Sequence, residues 1–143
     1  MNGASNHDSG SEGNWSDRKS AEIQDYVEGL PNRKPDQNDD ERIYRKFSYG
    51  DLLDLYMLDT RLEGRDEQVG TTSPQLNDSS RTILGTEQYN WLVNKLDSST
   101  AQWQILGQQV MVAPLLVFGQ PINMDQWDGY PIERQKFFNE MNA

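Results

Sequence analysis

Residues 91–115 read WLVNKLDSSTAQWQILGQQVMVAPL, and residues 125–134 read DQWDGYPIER. Counting from Tyr89, the apolar side chains of Tyr89, Leu92, Val93 and Leu96 recur at helical spacing and predict an amphipathic helix to about Asp97. Thr86 is placed to cap its start, and Leu84 to pack against its first turn. Ser98-Ser99-Thr100 breaks the pattern. Trp103 to Ala113 follows, carrying Ile105, Leu106, Val110, Met111 and Val112, and predicts a mostly buried strand. In the second stretch Tyr130-Pro131 opens a last helix, because proline is tolerated at the first helical position. Phe137, Phe138 and Met141 supply its apolar face. A helix that hands over to a strand, then a turn that opens another helix, belongs to a mixed α/β arrangement.

Working toward the N-terminus, Ile43, Arg45, Phe47 and Tyr49 alternate with Tyr44, Lys46 and Ser48, which is strand periodicity. Gly50-Asp51 is a turn pair. Leu52 to Leu58 (LLDLYML) predicts a second, mostly buried strand, so residues 43–58 read as a hairpin. A two-stranded ribbon alone is marginally stable, so this one is expected to belong to a larger sheet. Earlier still, Ala21, Ile23, Tyr26 and Val27 fall on or near one face of a helix over Asp17 to Glu28, with Asp17 as its cap and Gly29 and Pro31 as its stop. Residues 1–16 are polar and rich in Gly, Ser and Asn, and are expected to be irregular. Two further loops are expected, at 31–41 and 60–82. The second exceeds the usual length of a connection, and such loops are functional or disordered. Pro114 and Gly119-Gln120-Pro121 mark one more.

The totals narrow the function. The chain has 143 residues, enough for one domain with a core, but its hydrophobic share of 34% is low. With 23 acids against 13 bases the net charge is −10. Such a surface repels nucleic-acid phosphates and anionic membranes, so nucleic-acid binding by charge is not expected. It would repel substrate phosphates too, unless metal ions reverse the local field. There is no cysteine, which excludes disulfides and thiolate metal ligands. No membrane span is expected, and the N-terminus lacks the basic start and apolar run of a signal peptide.

Three groups of residues carry candidate chemistry. Asp59-Thr60-Arg61 sits at the end of a predicted strand, where α/β folds place functional groups. An Asp there suits a divalent metal and an Arg suits a phosphate, although strand-end charges also serve simply to tie a strand to its neighbour. His7 is the single histidine, a metal ligand or proton donor if placed in a site, and otherwise a solvated side chain in a polar segment. Trp127-Asp128-Gly129-Tyr130 is a shaped turn whose aromatics either line a cleft or pin the last helix to the sheet. The acids of 36–41 (DQNDDE) lack the spacing of a calcium loop.

Taken together, these segments resemble the PhoD-like metallophosphatases, the alkaline phosphatases of the PhoD type. Asn6-His7, Glu12-Gly13-Asn14-Trp15 and Arg18-Lys19 look like the stretch that follows the family's Asp-His-Glu motif. Residues 21–33 (AEIQDYVEGLPNR) are similar to its Ala-x-x-Ala-Tyr-x-x-x-Pro-x-Arg helix, and residues 43–61 (IYRKFSYGDLLDLYMLDTR) to its hairpin ending in Leu-Asp-Thr-Arg. Leu84-Gly85, Gln88, Trp91-Leu92, Trp103 and Trp127 to Pro131 with Arg134 complete the likeness, which spans nearly the whole chain. It implies an α/β fold, part of a four-layer sandwich with a mixed sheet flanked by helices. It also implies hydrolysis of phosphate mono- and diesters at an iron-and-calcium site, and a periplasmic or extracellular location. Asp59, Arg61 and His7 fall at matching positions and become the candidate site residues.

The family's main metal-binding motifs are a Cys-containing segment, Gly-Asp-x-x-Tyr, Asp-His-Glu and a later Gly-Asp-x-His, and none of them is in this sequence. The expectation is therefore a partial phosphatase domain over residues 1–143, a central piece with little or no activity of its own and no metal ligand assignable to it. The oligomeric state is not readable from sequence. The alternative expectation is a non-catalytic acidic module that binds a protein partner, suggested by four tryptophans beside so small a sheet.

Overall fold

The computed structural model describes residues 8–29, 33–39 and 41–142. Asp8 caps a single helical turn, α1 (Ser9–Glu12), and α2 spans Trp15–Gly29. The start of α2 falls two residues before Asp17, and the side chain that accepts from its first turn is that of Asn14, which takes the Ser16 N–H at 2.8 Å. Asn14 satisfies an end group that the helix itself cannot, so it takes the capping part expected of Asp17. On α2, Ile23 and the stem of Lys19 are buried, and the Lys19 ammonium reaches Glu41 at 2.6 Å. Pro31, the expected stop, lies outside the described residues.

The hairpin forms as its alternation predicts. Strands β1 (Arg45–Tyr49) and β2 (Leu53–Met57) pair antiparallel in the register Phe47↔Leu55, with Gly50 taking a positive φ of 58° in the turn. The chain then runs through a long connection holding one 3₁₀ turn, Pro74–Asn77, before α3 (Gly85–Asp97). Strand β3 (Trp103–Gly107) returns parallel to β2, Leu55 opposite Ile105, which gives a mixed sheet in the order β1-β2-β3. Helix α3 is the crossover that a parallel pair requires. Its start departs from the expected Thr86 cap: Thr82 accepts the Gly85 N–H at 2.8 Å instead, while Leu84 is fully buried at the entry.

The two faces of this sheet differ. Tyr56 and Leu106 face α3 and join the core formed by Leu58, Ile83, Leu84, Leu92, Trp127, Tyr130 and Phe137. The Tyr56 hydroxyl donates to the Lys95 carbonyl at 3.1 Å, which ties strand to helix. On the opposite face Phe47, Tyr49, Met57, Trp103 and Ile105 are exposed, Trp103 at 63%. Strands β2 and β3 are present as expected, but their expected burial is correct for one face only. A strand alternates its side chains, and nothing among the described residues covers the second face. Strand β3 also ends at Gly107 rather than running to Ala113.

Three elements were not expected, the first of them α1, a helical turn inside residues 1–16, which read as irregular; Asp8 caps it by accepting the Gly10 N–H. Leu116–Val117 and Gln120–Pro121 form a short hairpin, β4–β5, inside what read as a loop. Its two-residue turn is Phe118-Gly119, with φ of 50° and 77°. Both values are positive, as a tight hairpin turn demands, and phenylalanine is an uncommon choice there. The last helix, α4 (Pro131–Met141), begins on Pro131 as read, and its Phe137 is buried against Trp127 with ring centroids 4.9 Å apart.

Candidate functional site

Because β2 and β3 are parallel, their carboxyl ends open on the same side, and ligands of open α/β sheets bind outside such ends. The segment leaving β2 is Leu58-Asp59-Thr60-Arg61, and the segment leaving β3 begins Gln108-Gln109. They are joined directly. The backbone N–H and the hydroxyl of Thr60 both donate to Gln109 Oε1, at 3.0 and 2.7 Å. From behind, Gln88 of α3 clamps the Asp59 peptide: its Oε1 accepts the Asp59 N–H at 2.7 Å, and its Nε2 donates to the Asp59 carbonyl at 2.7 Å. Gln88 and Asp59 are both fully buried, where an unmet polar group would be costly, and here each is met.

The carboxylate of Asp59 turns back on its own loop. Oδ1 accepts the N–H groups of Arg61 and Leu62 at 2.8 and 3.0 Å, and Oδ2 accepts that of Glu63 at 2.9 Å. An aspartate that takes three successive backbone donors folds the chain into a tight turn. The turn is held from the far side by a backbone contact. A Cβ on Gly64 would stand 2.6 Å from Gly85 Cα, and both residues have positive φ, 66° and 73°. Only glycine allows that approach.

The turn presents two arginines to one acid. Arg61, whose side chain is 44% exposed, donates to Asp125 Oδ2 at 2.6 Å. Arg65, whose side chain is 3% exposed, donates to Asp125 Oδ1 at 2.7 Å, to the Thr60 carbonyl at 3.0 Å and to the Tyr130 hydroxyl at 3.2 Å. Tyr130 in turn donates to the Asp66 carbonyl at 2.6 Å. Arg65 is therefore a structural cation that joins the loop to the segment before α4. Arg61 is the arginine with a face toward solvent. Arginine matches phosphate geometry through paired N–H donors, so Arg61 is the group here best suited to meet a phosphoryl oxygen.

Trp127-Asp128-Gly129 forms a buried 3₁₀ turn, and its aromatics pin the last helix rather than line a cleft. Trp127 donates to Gln108 Oε1 at 2.7 Å. Burial opposes the charge of Asp128, but donors from the Leu115 N–H, Arg134 and Gln126 outweigh it and hold its carboxyl below the usual range. Glu133, at the start of α4, accepts from the Thr82 hydroxyl at 2.6 Å and from the Ile83 N–H, and so fastens α4 to the entry of α3.

Glu63 was not singled out in the sequence. Burial pushes its carboxyl up to about 7, Asp39, Asp59 and Glu87 push the same way, and Arg42 opposes them. Its Oε2 is buried without a hydrogen-bond partner. Only its position, four residues after Asp59 in a long loop beside other acids, could have drawn attention to it.

Of the three candidate residues, the structure places Asp59 and Arg61 in one turn. His7 lies outside the described residues. A metal site is not built by the described residues: they contain no group of three or more His, Cys, Asp or Glu side chains able to hold an ion. Both oxygens of Asp59 are already committed to backbone donors. The iron and calcium that the resemblance implies therefore do not fit these residues alone.

A model of the PhoD-like phosphatase family matches residues 1–143. The chain is 41% identical over 133 residues to alkaline phosphatase D of Bacillus subtilis (strain 168), a match that covers 85% of this chain and 22% of that protein. A solved structure described as the structure of PhoD superposes with a TM-score of 0.76 at 36% identity, covering 87% of this chain and 26% of that one. The chain thus spans about a quarter of the length of the relatives it matches. No helix among the described residues is long and apolar enough to cross a membrane.

Proposed function

The chain belongs to the PhoD-like phosphatase family, and on that premise we propose that residues 1–143 are part of one phosphatase domain whose whole protein hydrolyses phosphate mono- and diesters. The observation that carries this reading is the placement of Asp59 and Arg61. They stand at the carboxyl end of a parallel strand, with Arg61 half open to solvent and its neighbours locked. In this proposal Arg61 contacts the phosphoryl oxygens, and Asp59 is a positioning residue that fixes the turn from which Arg61 projects. The metal dependence implied by the family is met by ligands other than the described residues, and the location is periplasmic or extracellular.

The bare sheet face with Trp103 and Ile105 supports the reading of a partial domain, since a relative four times as long has further polypeptide to cover it. The same face motivates the rival reading, a non-catalytic interaction module. One experiment separates them. Residues 1–143 are substituted for the matched segment of Bacillus subtilis alkaline phosphatase D, and hydrolysis of p-nitrophenyl phosphate and bis(p-nitrophenyl) phosphate is measured. A phosphatase segment restores turnover, and Arg61→Ala in that chimera lowers kcat/KM by about 10–100-fold, as loss of an oriented charge does. A folded chimera without turnover would sink the phosphatase reading in favour of the module. The chain alone, assayed with iron and calcium, is expected to show little or no turnover; strong turnover would end the partial-domain reading.

A further inference from the structure

A second site for anions is lined by residues other than those of the strand-end turn. A cleft of about 610 Å³ runs between β1, α3 and residues 33–35, and Arg33, Lys34, Arg42, Arg45, Lys46 and Lys95 line it. These are six of the chain's 13 lysines and arginines, gathered in a molecule of net charge −10, and among the described residues no Asp or Glu lines the cleft. Composition would scatter them; the fold collects them. Lys46 is answered by Asp54 at 2.6 Å, and Arg42, more distantly, by Asp36 at 3.7 Å. Arg33, Arg45 and Lys95 have no carboxylate partner among the described residues.

The cleft is built rather than incidental. Arg45 is braced by donating to the carbonyls of Ile43 and Arg33 at 3.1 and 2.8 Å, which leaves its second terminal nitrogen, Nη2, buried with no partner among the described residues. The Nε of Arg42 is likewise buried and unmet, while its guanidinium lies 4.4 Å from the centroid of the Tyr44 ring. Buried donors without acceptors are uncommon and call for an explanation, of which a bound ion is one. Guanidinium forks match phosphate oxygens, and several uncompensated cations in one cleft favour a ligand with more than one negative charge. The volume is that of a small-molecule site.

We propose that this cleft binds a phosphorylated anion carrying at least two negative charges, held by Arg33, Arg45 and Lys95. The inference rests on the cleft's own charge and unmet donors, and requires neither turnover nor the role given to Arg61.

The test is calorimetric titration of the 143-residue chain with inorganic pyrophosphate in chelator-treated buffer, with citrate as a non-phosphate control of similar charge. Saturable binding is expected with Kd on the order of 0.1–1 mM. The double variant Arg33→Glu, Lys95→Glu should weaken it at least about 10-fold, because both side chains are exposed and opposite charge at the rim repels the ligand. Arg61→Gln should leave Kd unchanged within about 2-fold, since Arg61 does not line the cleft and shares no partner with the residues that do. Circular dichroism checks that each variant keeps its helices, and Arg33→Gln alone replaces the double variant if that one does not fold. Absence of saturation by about 10 mM, unaltered affinity in the cleft variant, equal binding of citrate, or loss of binding in Arg61→Gln would each overturn the proposal. The last outcome would move the anion to the strand-end turn, which leaves the phosphatase reading standing while this one falls.

Discussion

The turn after β2 and the cleft beside β1 both hold arginines, and they treat them in opposite ways. In the turn both arginines and the aspartate are answered: Arg61 and Arg65 share Asp125, and Asp59 takes three backbone donors. In the cleft, Arg33, Arg45 and Lys95 have no carboxylate partner among the described residues. A cation that is buried and paired holds geometry, because breaking such a pair strands a charge in a poor solvent. A cation left unpaired adds little to folding and is available to a ligand. The same residue type thus does two jobs, and what separates them is whether the fold supplies the counter-charge.

The sharpest way to break that contrast is to remove the buried cation. Arg65→Ala should cost about 3–4 kcal/mol, since it strips donors from the Thr60 and Asp125 carbonyls and one partner from the Tyr130 hydroxyl. Urea denaturation at pH 7 measures it, and a loss under 1 kcal/mol would mean the turn does not depend on its arginine. Gly64→Ala attacks the same turn without touching charge. The added Cβ would meet Gly85 Cα at 2.6 Å from a residue at φ 66°, so backbone must move. A loss of about 3 kcal/mol is expected. An unaltered melting temperature would show that the two glycines can part freely.

Much of the scaffold was legible because it follows short-range rules. The alternation from Ile43 to Tyr49, the spacing of Tyr89, Leu92 and Leu96, and the proline at 131 each specify an element through local geometry, and each element is present. Asp59 and Arg61 were readable as a strand-end pair for the same reason. What escaped was non-local. Whether Trp103 and Ile105 are covered depends on what packs on the second face, which a strand's own periodicity does not state. Gln88, Gln109 and Asp125 are ordinary polar residues until the parallel crossover brings them to residues 59–65. The cleft cations are spread over 33–95, and only the pairing of β1 with β2 and the return of α3 assemble them. The β4–β5 hairpin hid because its turn is Phe-Gly, not the Asn-Gly or Asp-Gly that announces one.

Glu63 sharpens the comparison from the acid side, as a carboxyl in the turn that lacks the partners Asp59 enjoys. Its folded pKa of about 7 lies above the ordinary value of 4.5. The folded state therefore binds the proton more tightly than the unfolded one, and stability is fully present below about pH 4.5 and falls as the pH rises through 7. Glu63→Gln keeps the shape without the charge. It should stabilise the chain by about 1 kcal/mol at pH 8, a figure reduced for the group's partial exposure, and by almost nothing at pH 4.5. Equal effects at the two pH values would show that Glu63 titrates normally. Asp54 provides the opposite sign: Lys46, Ser48 and Ser99 hold its carboxyl down to about 2, so its contribution persists at mild acidity and is lost only as the pH falls from its ordinary range through that value.

The smallest effect is the most discriminating. Arg33→Glu and Lys95→Glu reverse two exposed cations that make no ion pair among the described residues, so stability in the absence of ligand should change by less than about 0.5 kcal/mol. Relief of mutual repulsion among the cleft cations could even make the change favourable. Set against the Arg65→Ala loss, this near-silence is what an unpartnered cation predicts. A loss of several kcal/mol at either position would instead reveal a structural partner, and the division between the buried Arg65, which holds the fold, and the unpaired cleft cations, which await a ligand, would then no longer hold.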